Sequence, residues 1–130
     1  MRTPLAVLLM GLALAACGGS SSSGWKDLQS VRVTVAQPGL PPPFGTPKTT
    51  AFTTAAELKR VTAELNAHHI TKASSASADS GCAGGFKIAI AIEQQGSAPV
   101  NLNAYRCANR TSGNVSGDLV GFLNAVGVKL

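Results

Sequence analysis

The stretch that decides the fold is FKIAIAIEQQGSAPVNLNAYRC, residues 86–107. Ile88, Ile90 and Ile92 alternate with Ala89 and Ala91, the period-two pattern of a strand with one buried face. Gln95, Gly96 and Ser97 supply turn chemistry. Val100, Leu102 and Ala104 then alternate against Asn101 and Asn103, so the segment predicts a β-hairpin. Cys107 closes its second strand and Cys82 lies just before its first. Antiparallel pairing brings those two ends side by side.

Working outward, Val31, Val33 and Val35 alternate with Arg32 and Thr34, which predicts a half-buried strand near 31–36. Residues 38–47 contain five of the seven prolines together with Gly39 and Gly45. That density forbids regular structure and predicts a stiff, partly polyproline loop. Residues 48–53 read as a short strand ending in Phe52. Thr54-Ala55-Ala56-Glu57 has the spacing of a capping box, in which the Thr hydroxyl accepts from the amide three residues on and the Glu reaches back. It opens a helix over about 54–68, with Leu58, Val61, Leu65 and His69 or Ile70 along one face. The Ser/Ala-rich stretch 71–80 reads as a loop, as does the polar stretch 108–117. Ser116 or Asp118 then caps a last helix over about 117–127, whose apolar face is Leu119, Phe122, Leu123 and Val126. The expected fold class is α+β: a small antiparallel sheet with two helices packed on one face.

The N-terminus carries a different kind of information. Arg2 precedes an unbroken apolar run from Leu5 to Ala16. A basic start, about a dozen apolar residues and then small residues form the layout of a secretory signal peptide. The run is shorter than the roughly 20 residues a membrane-spanning helix needs. Its end, Leu14-Ala15-Ala16-Cys17, resembles the lipobox of bacterial lipoproteins. That resemblance implies diacylglycerol on the Cys17 thiol, cleavage in front of it, and a protein anchored on the extracytoplasmic face of a membrane. Cleavage at Ala13-Leu14-Ala15 by an ordinary signal peptidase is the competing reading. The lipobox divides the chain into a signal peptide (1–16), the lipidated cysteine with a Gly/Ser tether (17–24) and one small domain (25–130). Of the three cysteines, lipid on Cys17 leaves Cys82 and Cys107. An oxidising compartment then favours a disulfide between them, in agreement with the hairpin. Trp25, directly after the tether, suits either the headgroup level of a membrane or a cap on the core.

A second resemblance covers about residues 48–127. Phe52-Thr53 before a capped helix, Cys82-x-x-Gly85-Phe86, Tyr105-Arg106-Cys107 and the Leu-rich last helix look like small exported lipoproteins of actinobacteria. It supports the fold and the compartment, and implies no known activity.

Charge and chemistry narrow the function classes. The formal charge is +5 and becomes +4 once Arg2 leaves with the leader. Those charges are dispersed among few aromatics, so nucleic acid is not an expected partner. His68 and His69 are the only histidines. Neighbouring helical residues point about 100° apart, and a useful zinc site needs three or four ligands, so they are weak metal candidates. The chain lacks a Gly-x-Ser-x-Gly elbow, and its few carboxylates show no paired arrangement for glycan cleavage. No cofactor and no enzymatic activity are expected. Asn109-Arg110-Thr111 and Asn114-Val115-Ser116 match glycosylation acceptors, which a bacterial setting makes incidental. The most distinctive recognition element is the Pro-rich loop. A stiff loop loses little entropy on binding and would present Leu40 or Phe44 to an envelope partner. A small hydrolase or protease inhibitor acting near this loop is the alternative. Cys17→Ala is expected to release the protein from the membrane fraction without unfolding it, as read by fractionation and circular dichroism. A wild-type protein found free of the membrane with an unmodified Cys17 would refute the lipid assignment.

Overall fold

The computed structural model describes residues 24–77 and 82–130. The elements run β1 (Leu28–Ala36), β2 (Lys48–Phe52), α1 (Ala55–Ala67), β3 (Thr71–Ser77), β4 (Phe86–Gln94), β5 (Val100–Cys107), β6 (Arg110–Ser116) and α2 (Leu119–Ala125). The six strands form one antiparallel sheet in the order β2-β1-β4-β5-β6-β3. The expected hairpin is its centre: β4 pairs with β5 from Phe86↔Arg106 to Ile92↔Val100. On its other side β4 pairs with β1, matching Val31↔Ile92, Val33↔Ile90 and Val35↔Ile88. Directly paired residues share a face, so all six β-branched side chains project to the same side.

Both helices cover that side. Val61 and Leu65 of α1, and Leu119, Phe122 and Leu123 of α2, are buried in one cluster with the β1, β4 and β5 side chains. The opposite face carries Arg32, Asn101 and Asn103, which are exposed, and Thr34, Ala89 and Ala91, which are half-buried. No side-chain polar group is buried without a partner among the described residues.

Two stretches read as loops are strands. Thr71–Ser77 is β3, an edge strand, and Arg110–Ser116 is β6, which joins β3 to β5. Neither shows the alternation of a half-buried strand. In β3 only Ala73 is even partly buried. In β6, Gly113 sits at φ 111°, and a Cβ there would stand 2.1 Å from the Asn103 carbonyl oxygen. Only glycine lets the two strands approach so closely.

The capping box forms as expected. The Thr54 hydroxyl accepts from the Glu57 amide, and the Glu57 carboxylate accepts from the amides of Thr53 and Thr54. Both helices end alike, in Schellman motifs. In α1 the Ile70 amide donates to Leu65 and the His69 amide to Asn66; in α2 the Val128 amide donates to Leu123 and the Gly127 amide to Asn124. Each motif returns an aliphatic residue to the core, Ile70 or Val128. Gly127 takes the required left-handed backbone at φ 80°, whereas in α1 a histidine does so, His69 at φ 53°. His69 is exposed and Ile70 fills the core position, which resolves the choice between them along the helix face.

Trp25 packs against the core, and its indole N–H donates to the Ile70 carbonyl. Its backbone is held on both sides by the Asn66 side chain. Cys82 and Cys107 are bonded, with Cα atoms 5.9 Å apart. Closing a loop across their separation of 25 residues contributes about 3–4 kcal/mol. A left-handed backbone costs a side-chain-bearing residue about 1–2 kcal/mol, and glycine returns part of that through its freer unfolded chain. His69→Gly is therefore expected to raise stability by about 0.5–1 kcal/mol, read as a higher urea midpoint. A lower midpoint would overturn the assignment of His69 as a backbone cap.

Candidate functional site

The Pro-rich loop connects β1 to β2 at one end of the sheet. It is not an extended polyproline segment. The amides of Phe44 and Gly45 donate to the Pro41 carbonyl and the Thr46 amide to Pro43, so the loop closes on itself. A Cβ on Gly45 would fall 2.1 Å from the Leu40 carbonyl oxygen, which makes glycine necessary to the closure. With the φ angles of its prolines fixed and its turns hydrogen-bonded, the loop holds its shape without a partner.

Its base is tied to the disulfide. The Gln37 side chain donates to the Gly84 carbonyl at 3.1 Å. Gly84 belongs to the Cys82–Gly85 turn, and the Tyr105 hydroxyl clamps that turn by donating to the Cys82 carbonyl at 2.8 Å. Any side chain at Gly85 would meet the Tyr105 ring at 2.6 Å. The local signals Cys82-x-x-Gly85 and Tyr105-Arg106-Cys107 thus meet in one bracket supporting the loop.

Leu40 and Phe44 are exposed, Phe44 at 73%. Phe44 stands over a groove of about 470 Å³ between the loop, the sheet and the segment after α2. Its apolar lining comes from Phe44, Val35, Phe86, Val128 and Leu130; Gln37, Thr46 and Thr50 add neutral hydrogen-bonding groups. Lys48 and Lys129 are its charged side chains, and among the described residues neither is ion-paired. Leu40 does not line the groove. Phe44 is the loop residue of the sequence expectation that lines the groove, and the contribution of Val128, Lys129 and Leu130 to the groove was not expected.

The histidines occupy the other end of the molecule and separate. His68 bridges the helices: Nδ1 lies 3.2 Å from Asp118 Oδ2 and Nε2 lies 3.5 Å from Glu64 Oε2. The absence of a side chain at Gly121 admits the imidazole, since a Cβ there would sit 2.7 Å from the ring. His69 points to solvent instead of joining this cluster. Among the described residues no three His, Cys, Asp or Glu side chains converge as a metal site, and no helix is long and apolar enough to cross a membrane. Cys17 lies outside the described residues. No family model, curated protein or solved structure matches this chain.

The Gly121 amide donates to Asp118, and this together with the weaker His68 contact holds the Asp118 carboxyl below its usual range against the opposing effect of desolvation. The amides of Thr54 and Thr53 lower Glu57 in the same way. A carboxyl whose folded pKa is depressed stabilises the fold above its unfolded pKa, and that contribution is lost as pH falls through the folded value. The thermal midpoint is therefore expected to fall as pH drops below about 4. Asp118→Asn, which keeps a capping side chain, should flatten part of that slope. A slope unchanged in Asp118→Asn combined with Glu57→Gln would refute the assignment.

Proposed function

We propose that this protein is an exported lipoprotein, anchored through lipid on Cys17 to the extracytoplasmic face of a membrane, and that its domain is a non-enzymatic binding module. The observation that carries the binding reading is Phe44: a large aromatic side chain, 73% exposed, held by a self-closed loop above a groove of about 470 Å³. Isolated apolar residues on a surface need no explanation, but an aromatic on a preorganised loop beside a groove has the makings of a binding anchor. The volume falls within the range of ligand-binding clefts.

The geometry of an anchor agrees with this reading. The chain reaches the domain at Trp25, beside the end of α1. From there β1 runs nine residues, roughly 26 Å at the rise of a strand, before it meets the Pro-rich loop. A lipid at Cys17 would join the chain to the end of the sheet that carries Trp25, the end away from the groove. Trp25 packs on the core and serves as the seat of the domain on its tether.

The test is photo-crosslinking in intact cells with a benzophenone side chain in place of Thr46, an exposed groove residue. Discrete adducts are expected, absent when the same group replaces exposed Lys72 on β3 and lost when Phe44→Ala is added. Equal labelling from positions 46 and 72, or adducts indifferent to Phe44→Ala, would refute the groove as the binding site.

A further inference from the structure

We infer that the groove takes an extended, acidic peptide segment of a partner protein, added as a strand along the free edge of β2 with an aliphatic side chain lodged beneath Phe44. The inference rests on the binding reading above and gives that site a partner of stated chemistry.

Three observations carry it. First, β2 is an end strand, paired only with β1, and its outer edge makes no backbone hydrogen bond to another described segment. Such an edge is a row of unpaired donors and acceptors ready to template another strand, and strand addition to a sheet edge is a recurrent way to hold a peptide. Second, the groove lies on that edge. Lys48 and Thr50 of β2 line it, and their register with Val35 and Val33 puts them on the covered face of the sheet. Alternate residues of an added strand would project toward this face, where Phe44, Val35, Val128 and Leu130 provide apolar contact. Third, its charged lining side chains are Lys48 and Lys129, and no Asp or Glu side chain lines it. Lysine on an edge discourages indiscriminate strand pairing; the same positive charge favours a strand carrying Asp or Glu. An alkyl amphiphile shares the charge and the apolar character but fits the shape less well. A small-molecule pocket encloses most of its ligand, whereas this groove is flanked by an open strand edge and by a Phe44 that is itself 73% exposed.

The test selects a random decapeptide display library against the full chain in nanodiscs, with empty nanodiscs for counter-selection. Enriched sequences are expected to carry acidic and aliphatic residues two apart, so that both project from one face of the strand. Lys48→Glu with Lys129→Glu, both exposed positions, should weaken the best synthetic peptide at least about tenfold with an unchanged circular dichroism spectrum. Peptide N-methylation at one set of alternate residues should abolish binding and at the other set leave it intact, the signature of one-sided strand pairing. Enrichment without acidic residues, affinity that survives the double charge reversal, or equal effects of the two N-methylation patterns would overturn the inference. So would no enrichment, or an amphiphile found bound in the groove of native protein. Continued dependence of Thr46 crosslinking on Phe44 would then show that the binding reading stands while this partner class falls.

Discussion

The structure depends on one ladder, the antiparallel match of three valines on β1 to three isoleucines on β4. Each of these side chains is at most 9% exposed, and full burial of such a group contributes about 1.5–3 kcal/mol. The ladder creates an apolar strip that water must not reach, and both helices lie over it. The matching of Schellman motifs at their ends follows from the same need, because each uses the residue after the helix to extend the cover. The ladder also sets the two poles of the molecule. One holds Trp25, the α1 terminus and the His68–Asp118 bridge; the other holds the Pro-rich loop, the disulfide and the groove.

Much of this was legible in the sequence because the strands that build the core are also those with a strong period. Val31, Val33 and Val35, and Ile88, Ile90 and Ile92, declare a buried face by alternation alone. The helices declare themselves through Thr54, Asp118 and the spacing of their apolar residues. β3 and β6 were illegible for the opposite reason. They extend the sheet past the helical cover, so little selects for apolar residues at alternate positions, and their Ser, Thr, Ala and Gly content matches a loop. What places them is the hydrogen-bonded ladder that runs from β5 to β6 and from β6 to β3, with the close approach at Gly113, and neither leaves a periodic trace.

The candidate site was legible in half. Stiffness and exposure of the Pro-rich loop follow from its composition, and Phe44 is its one aromatic residue. The wall opposite Phe44 comes from residues 127–130, brought there by the direction of α2, and a linear reading of the chain does not bring these segments together. Trp25 was similarly ambiguous, since the sequence alone suits it to a membrane interface or a core; in the structure it packs on the core and donates to Ile70. The adjacent histidines drew notice as a pair, yet helix termination separates them. His68 is the last residue of the α1 cap and turns toward α2, and His69 takes the left-handed backbone that turns the chain away.

The central ladder is also the least local part of the fold. The hairpins β1–β2, β4–β5 and β5–β6 join neighbours in sequence, but β1 meets β4 across a separation that reaches 66 residues at Leu28 and Gln94. Closing long loops costs entropy before any contact repays it, and topologies of this kind fold in milliseconds to seconds, more slowly than helical bundles. A chain emerging N-terminus first presents its three valines well before the isoleucines that cover them. During that interval β1 is an apolar strand with one side unpaired, the form of intermediate most prone to aggregate. The register that secures the finished domain therefore makes its assembly a race between a late intramolecular pairing and an early intermolecular one.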